Sequence, residues 1–480
     1  MKYNPIKIYK EASPAVRTSL WFTVCNFLQR GTAFLMVPIF TRLLTTKQYG
    51  VYSVYLSWFD IFVLFSSLKI PYEGLNNGLI RHEGDKDGYV SSMVGLITTL
   101  TFGCAAVYLI FRKWIDAVTG FSSFIMVLMF LEILFNPPLY LWTNRERFDF
   151  RYRWPVVVTI LSTILNPLIA VIAVLCTPYK AEARIIATVA VQAGFGSVLF
   201  ILLLKRGKKW YDREYWKFAL KFNLSLLFYY ISQSLLNQSD RIMINYYEGS
   251  DKAGIYSVAY SAATLMLLLV SAVNASFNPW MYKKLKDYRY EEVRKAVTMV
   301  CALIGAATVA MIAFAPDLIA LLATEEYSEA IWIIPPVAGS VFFIFVYMVF
   351  ANAEMYYGET RFISLISIAA SAANLVLNCI FIPLYGYMAA GWTTLACYVL
   401  LAVLHFILME RTRRLHHIRD EIFPVRQIFL FSVGIIAASG LMLGTYLLGY
   451  VRYVILALIL ITFWFFRRRT LAFIRALKKS

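Results

Sequence analysis

The sequence predicts an all-α polytopic membrane protein with about fourteen transmembrane helices, in two pseudo-symmetric six-helix lobes followed by two C-terminal helices. Of the 480 residues, 60% are hydrophobic and only 15% are charged. A soluble protein of this size needs far more polar surface, so most of the chain must face lipid. The apolar runs are long and continuous rather than alternating, which excludes a transmembrane β-barrel.

An internal repeat predicts the two lobes. Tyr49–Val54 reads YGVYSV, and Ala253–Val258, 204 residues later, reads AGIYSV. The alignment needs no gap back to Gln29 and Gln233. Each copy of the motif lies at the start of an apolar run, shortly after the preceding apolar run ends. Each half of the chain therefore contains the same helix–turn–helix. A chain with this repeat is built from two related lobes, as many transporters are.

Apolar runs and basic connections divide the chain into segments. The first lobe, with helices 1–6, covers residues 18–204, the second, with helices 7–12, covers 218–409, and helices 13 and 14 cover 427–467. Basic cytoplasmic segments flank these parts: a lead-in at 1–17, linkers at 205–217 and 410–426, and a tail at 468–480. The predicted spans are residues 18–41, 51–70, 90–111, 121–143, 155–176, 183–204, 218–245, 253–278, 296–322, 330–352, 361–382, 386–409, 427–449 and 452–467.

The distribution of Lys and Arg predicts the orientation. If the N-terminus is cytoplasmic, the cytoplasmic segments hold 36 of the 46 basic residues and the outer loops hold eight. The positive-inside rule requires such a bias, so we expect both termini on the cytoplasmic side of the plasma (inner) membrane. The net charge of +18 then reflects topology and not binding to nucleic acid.

The sequence lacks the pattern of an enzyme or a metal site. All six cysteines lie inside apolar runs, without metal-ligand or redox spacing. We find no set of nucleophile, base and orienting residue, and no Gly-rich phosphate loop. We therefore expect neither an enzyme nor direct use of ATP, and no cofactor. A coupling H+ or Na+ ion remains open.

Three charged residues, Arg30, Asp60 and Glu132, fall near the middle of predicted spans, roughly 14–17 Å from the outer surface at 1.5 Å per residue. A charge at this depth costs at least about 2.5–3.5 kcal/mol, so each needs a reason. Arg30 either contacts an anionic substrate or neutralises Asp60 or Glu132 in a buried structural pair. Asp60 and Glu132 either balance charge or bind a coupling proton or cation.

Polar stripes on two equivalent helices predict the substrate site. On the first helix Asn26, Gln29 and Arg30 lie on one face, at spacings of three and four residues. Gln233 and Asn237 form the matching stripe on the seventh helix. Two such faces imply a hydrated cleft between the lobes, the usual substrate site of a transporter. The predicted substrate-binding residues are therefore Arg30, Asn26, Gln29, Gln233 and Asn237.

The next two residues of the seventh helix's polar stripe, Asp240 and Arg241, lie closer to the predicted outer end of that span. An ion-paired outer gate or a topology anchor explains them better than contact with substrate.

Short motifs along the chain resemble those of a transporter family. Phe40–Thr45, followed by Tyr49–Ser53, resembles the first helix hairpin of Wzx-type polysaccharide flippases. These flippases belong to the multidrug/oligosaccharidyl-lipid/polysaccharide exporter superfamily. Asp240–Ile244 through Gly254–Ser257 is similar to the family's seventh-helix segment. The family's eleventh helix has an ending similar to Asn374–Asn378 through Ile382–Gly386.

The resemblance implies a function. Such a flippase moves an undecaprenyl-diphosphate-linked oligosaccharide repeat unit from the inner to the outer leaflet by alternating access. The lipid-linked oligosaccharide and membrane lipids would be its partners, and a polysaccharide polymerase is a further candidate. The glycan would be lipopolysaccharide O-antigen, capsule or another exopolysaccharide. Arg30 would then contact the diphosphate or an acidic sugar.

Two alternatives of the same superfamily stay open. A cation-coupled multidrug exporter would use Asp60 or Glu132 as its ion site, and the excess of acidic over basic residues at mid-depth favours this reading. A peptidoglycan-precursor flippase would differ from the first reading mainly in its cargo.

Overall fold

The computed structural model describes residues 13–459 and residue 461, without the side chains of Glu73, Thr360 and Arg361. Most of the predicted lead-in, the end of the last predicted helix and the predicted basic tail lie outside the described residues. Within the described part, the chain is almost entirely helical and has no strand, which confirms the all-α class.

Helices account for every predicted span as far as the structure describes it. In chain order they are α1 (Pro14–Leu43), α2 (Thr46–Ser67), α3 (Leu75–Arg81), α4 (Lys86–Ile110), α5 (Arg112–Thr119), α6 (Ser123–Phe148), α7 (Arg153–Leu175), α8 (Lys180–Gly207), α9 (Arg213–Glu248), α10 (Ser250–Ala263), α11 (Leu265–Lys286), α12 (Tyr290–Ala313), α13 (Ala315–Leu322), α14 (Ile334–Tyr356), α15 (Thr360–Tyr385), α16 (Ala389–Leu415) and α17 (Val425–Thr445). Residues 451–459 are also helical and form the described part of the last span. A π-helix (Ile70–Gly74) and two 3₁₀ segments (Glu83–Asp85 and Glu325–Trp332) complete the described elements.

Two predicted spans are divided in the structure. The eighth, 253–278, is shared by α10 and α11, and the ninth, 296–322, by α12 and α13. The second break has a local cause, because Pro316 lies in the first turn of α13. Proline has no backbone N–H to continue the preceding helix but fits the first turn of a new one.

The two helices with predicted polar stripes are also the least apolar of the long helices. Eleven stretches of the described chain are long and apolar enough to cross a membrane, and α1 and α9 are not among them. Both are long enough, with 30 and 36 residues, or roughly 45 and 54 Å at 1.5 Å per residue. Their polar residues lower the hydropathy, so composition identifies the same two helices as the internal repeat does.

The chain forms two compact units, residues 1–234 and 235–480. The first unit extends past the predicted linker at 205–217, because the first half of α9 packs onto it. Tyr215 donates a hydrogen bond to Asp85 at 3.0 Å, and the indole N–H of Trp216 donates to the carbonyl oxygen of Ser92, also at 3.0 Å. Helix α9 therefore begins in the first unit and ends in the second.

The turn between α1 and α2 is specified by its own residues. The hydroxyl of Thr45 accepts a hydrogen bond from the backbone N–H of Gln48 at 3.3 Å. The side chain of Gln48 accepts one in return from the backbone N–H of Thr45 at 3.1 Å. This capping box satisfies two N–H groups that the start of a helix leaves unpaired. Lys180 of α8 holds the turn from outside by donating to the carbonyl oxygen of Leu43 at 3.0 Å.

Helix α14 is the central helix of the second unit. It packs against α10, α11, α12, α15, α16 and α17. Most of its residues between Ile334 and Glu354 are buried, and they join one large apolar cluster with residues of α11, α12, α16 and α17. A helix that is apolar on all sides belongs in such a position.

Candidate functional site

The predicted polar stripe on α1 is exposed. Asn26, Gln29 and Arg30 all face away from the first unit, whereas Phe22 and Cys25 of the same helix are buried in it. Within residues 13–459, Arg30 forms no ion pair with Asp60 or Glu132. The alternative in which Arg30 neutralises one of these carboxylates in a buried pair is therefore not realised.

Glu132 and Asp60 interact electrostatically in the first unit. Glu132, on α6, is buried and accepts a hydrogen bond from the hydroxyl of Tyr55 at 2.7 Å. Asp60, on α2, is half-buried, and its charge acts on Glu132 and on the hydroxyls of Tyr72 and Tyr140. Two carboxyl groups beside tyrosine hydroxyls can bind a proton or a small cation, because like charges at close range disfavour ionisation of both.

The stripe on α9 is partly accessible. Gln233 is half-buried and Asn237 is exposed, and both residues take part in interactions within the protein. Their amide groups can donate and accept hydrogen bonds, which suits the hydroxyl groups of a sugar.

Asp240 and Arg241, predicted as an ion-paired outer gate or a topology anchor, have different hydrogen-bond partners. Asp240 is buried and accepts hydrogen bonds from Tyr256 at 2.6 Å, Thr394 at 2.7 Å and Asn378 at 2.7 Å. Arg241 instead donates to the carbonyl oxygen of Asn237 and to the side chain of Gln238, at 3.0 and 3.2 Å. It also lies 4.4 Å from the ring centre of Tyr260. Successive residues of a helix point about 100° apart, so their side chains reach different neighbours.

Asp240 is the centre of a buried polar cluster that joins α9, α10, α15 and α16. Asn374 accepts from Ser239 at 3.0 Å and from Asn378 at 3.3 Å, and Thr393 donates to the amide oxygen of Asn378. The amide nitrogen of Asn374 is buried without a hydrogen-bond partner among the described residues. One carboxylate among amide and hydroxyl oxygens could hold a proton or a monovalent cation. The described residues contain no group of three His, Cys, Asp or Glu that would suit a transition metal.

This cluster was not predicted from the sequence because its members come from distant segments. One local signal was available. Asn374 and Asn378 lie four residues apart in an otherwise apolar helix, so both amides point to one face. Asp240 and Asn378, however, are 138 residues apart, and no sequence spacing indicates that they meet.

A second group of charges closes one end of the second unit. Lys252 forms an ion pair with Glu329 at 2.7 Å, and Tyr387 donates a hydrogen bond to the same carboxylate. The hydrogen bonds from Lys252 and Tyr387 lower the pKa of Glu329 below its ordinary value. These contacts connect the 3₁₀ segment Glu325–Trp332 to α10 and to the start of α16, so they serve structure rather than substrate.

Comparison with known proteins gives the family and the fold. The sequence model of the polysaccharide biosynthesis protein family matches residues 15–285, and that of the MatE family matches residues 226–380. A Haemophilus influenzae protein, described as an uncharacterized membrane protein, is 21% identical over 280 residues. That match covers 57% of this chain and 66% of the relative, just under two thirds of its length.

Two solved structures share the fold over most of the chain. Lipid II flippase MurJ, in an inward closed conformation, superposes with a TM-score of 0.68 and 14% identity, covering 95% of this chain and all of that one. An inward-facing multidrug resistance MATE family transporter of the MOP superfamily gives a TM-score of 0.61 at 13% identity, covering 84% of this chain and all of the other. The fold predicted from apolar runs and the internal repeat is the fold of these transporters.

Proposed function

Since this chain belongs to the polysaccharide biosynthesis protein family, within the multidrug/oligosaccharidyl-lipid/polysaccharide exporter superfamily, we propose that it flips undecaprenyl-diphosphate-linked oligosaccharide repeat units across the plasma membrane. The family match over residues 15–285 is the observation that carries this proposal. Family and structural neighbours are flippases and transporters and not enzymes. The fold shared with a lipid II flippase supports a lipid-linked cargo.

The physical problem that such a protein solves is the charge of the head group. A diphosphate with attached sugars cannot enter hydrocarbon unaided, because burying even one unpaired charge is prohibitive. Arg30 would form charge-assisted hydrogen bonds with the diphosphate or with an acidic sugar. Its exposure on α1, without an ion pair to Asp60 or Glu132, supports this role. Asn26, Gln29, Gln233 and Asn237 would bind sugar hydroxyls.

Transport against a gradient needs a coupling ion. Asp60 and Glu132 are the proposed H+ or Na+ site, supported by the electrostatic interaction between the two carboxyl groups and by the hydrogen bond from Tyr55 to Glu132. A gate role would fall to Arg241 alone, because three hydrogen bonds already occupy the carboxylate of Asp240.

The setting proposed for this cycle is the plasma (inner) membrane, with both termini in the cytoplasm, as the charge bias of the sequence favours. The glycan would be O-antigen or capsule, and a polysaccharide polymerase would receive it.

A cation-coupled multidrug exporter is the second candidate. The MatE match over residues 226–380 and the fold shared with a MATE transporter favour it. A peptidoglycan-precursor flippase is the third, favoured by the fold shared with MurJ. Deleting the gene separates the three candidates. Loss of surface glycan supports the first, sensitivity to a cationic dye supports the second, and loss of viability supports the third.

Arg30→Ala tests the proposed substrate contact. In a strain that lacks the native gene, this variant should reach the membrane in normal amount but abolish export of the glycan, because the diphosphate loses its cation. Lys47→Ala, also an exposed basic residue of the first hairpin, is the matched control and should export normally. Surface glycan is measured by labelling whole cells. Normal export by Arg30→Ala would remove Arg30 from the substrate site.

A further inference from the structure

Glu354 and His405 form a buried acid–imidazole pair in the second unit. Oε2 of Glu354, on α14, lies 2.8 Å from Nδ1 of His405, on α16. The side chains are 0% and 1% exposed. Oε1 of Glu354 is also buried and has no hydrogen-bond partner among the described residues. Neither residue belongs to the sites predicted from the sequence.

The surroundings of this pair are apolar. Phe350, Ala353, Leu401 and Ala402 belong to the large apolar cluster of the second unit, and the ring of Tyr347 stacks on the imidazole with centres 5.6 Å apart. Titratable groups on the described elements around α14 lie farther along these contacts. They include Tyr398 on α16, stacked on Tyr347, Tyr260 on α10, which interacts with Tyr398, Cys301 on α12, Tyr282 on α11, which contacts Tyr356, Tyr357 and Glu359 after α14, and Tyr290 and His416, which contact Tyr357.

Charged residues on α11 and α12 are paired with each other. Lys284 on α11 and Glu292 on α12 pair with each other at 2.9 Å. Among the described residues, His405 is the basic group at ion-pair distance from Glu354, and Glu359 is a negative charge that acts on it from the connection to α15.

The proton content of such a pair is restricted by burial. With one proton, shared between the two groups or held by either, the pair has no net charge. A second proton leaves one positive charge, and loss of the last proton leaves one negative charge. Either charged state is costly in an apolar core. The pair can therefore gain or lose a proton only when water reaches it.

The pair lies near the end of α14, where a local opening of the helix packing would admit water. Glu354 lies two residues before that helix ends at Tyr356, and the backbone N–H of Glu359 donates to the carbonyl oxygen of Glu354 at 3.0 Å. Phe423, which follows α16, covers this end by contacting Phe350 at 5.3 Å between ring centres. Separation of α14 from α16 at this end would expose Oε1, the one oxygen of the carboxyl group without a partner.

We propose that Glu354 and His405 form a proton-binding site whose exchange with water is tied to opening of the α14–α16 contact. A proton from water binds at Oε1 of Glu354 when the contact is open and returns to water at the next opening. The part of this site in transport rests on the proposed flippase function. The binding of the proton does not, and it can be measured on the purified chain.

Infrared spectroscopy of the full-length protein in nanodiscs, titrated with acid and base, tests proton binding. The C=O stretch of a protonated carboxyl group should change with pH in the wild type, and this component should be absent from Glu354→Gln. Proton uptake over the same titration should fall by about one proton per chain in Glu354→Gln. His405→Gln keeps Glu354 but removes its partner, so the titration of that component should shift.

Asn352→Ala is the matched control. It breaks another buried polar contact of α14, the 2.9 Å hydrogen bond from Asn352 to Asn274, without removing a titratable group. This variant should keep the titrating carboxyl component. A spectrum unchanged in Glu354→Gln, or a carboxyl component that does not respond to pH in the wild type, would show that the pair only fastens α14 to α16.

Glycan export at several external pH values then tests the coupling. Glu354→Gln should lose the pH dependence of export, and Asn352→Ala should keep it. A pH dependence that persists in Glu354→Gln would assign coupling to another site. If the wild type exports no glycan, the proposed function fails, whereas the infrared result on the purified protein stands by itself.

Discussion

Arg184 shows how aromatic residues can hold a buried charge in this protein. It lies in the second turn of α8 and is only 9% exposed. Its guanidinium lies 3.7 Å from the ring centres of both Phe40 on α1 and Tyr52 on α2. Tyr49 lies a little farther away, at 5.2 Å. The rings replace a carboxylate partner, because their faces are electron-rich. Arg184 thus fixes the first helix hairpin to α8, in addition to the hydrogen bond from Lys180 to Leu43.

Arg184→Ala should lower the free energy of unfolding by about 3 kcal/mol, since desolvated cation–π contacts are worth about 2 kcal/mol each and are not fully additive. Arg184→Lys should recover only part of this loss of stability, because an ammonium group cannot stack on two rings as a planar guanidinium does. Thermal denaturation in detergent measures both. Arg112→Ala is the control, since its side chain is 59% exposed and surface ion pairs contribute little. Equal shifts for Arg184→Ala and Arg112→Ala would contradict the role given to Arg184.

At the scale of elements, helix α8 illustrates how one glycine controls packing. A Cβ atom on Gly196 would lie 2.0 Å from the carbonyl oxygen of Phe135 on α6. Gly194, two residues earlier on the same helix, has open space in the same position, with no atom within 4 Å. The two glycines are chemically identical, so only their surroundings differ. The close approach of α6 and α8 therefore depends on Gly196.

Gly196→Ala should destabilise the protein by about 2 kcal/mol, because the backbone carbonyl cannot move aside and the two helices must separate. Gly194→Ala should stabilise it by up to about 1 kcal/mol, since alanine is the better helix former. Thermal midpoints of the two variants, measured side by side, test the packing. A stabilising effect of both substitutions would show that α6 and α8 do not approach as closely as described.

At the scale of the whole molecule, the polar helices and the repeat agree. The repeated motif places α1 and α2 in the first half in correspondence with α9 and α10 in the second. These pairs contain the two long helices that fail the hydropathy test. Lipid disfavours polar side chains at mid-depth, so helices of this kind are retained where they serve transport. The internal repeat and the cost of placing polar side chains in lipid therefore identify the same two helices, α1 and α9.

The charge bias of the loops predicts the topology, and cysteine labelling checks it. In a variant without the native cysteines, Lys47→Cys should react with a membrane-impermeant maleimide added to intact cells. Lys208→Cys should react only in inside-out vesicles, because it lies in the basic connection between α8 and α9. Both positions are exposed, so accessibility to the reagent is not limiting. Labelling of Lys208→Cys from the cell exterior would reverse the predicted orientation.

Much of the fold could be predicted because its causes are local. Apolar runs, the capping residue Thr45 and the proline at position 316 act over a few residues, and they define where most helices begin and end. The polar residues Arg30 and Gln233 also stand out locally, against an apolar background. The border between the two units could not be predicted in this way. It lies inside α9 at Ser234, because side chains of the first turns of that helix bond to the first unit.

By itself, the sequence determined the class of the protein, the positions of its helices and the two helices that carry polar faces. Hydrophobicity and helix capping are properties of short segments, and they need no knowledge of what lies opposite. Only the tertiary structure decided which partners the charged residues have. Asp240 binds Thr394 rather than Arg241, and Glu354 meets His405 from 51 residues away. Such contacts depend on how helices pack, and packing brings together residues whose separation along the chain carries no signal.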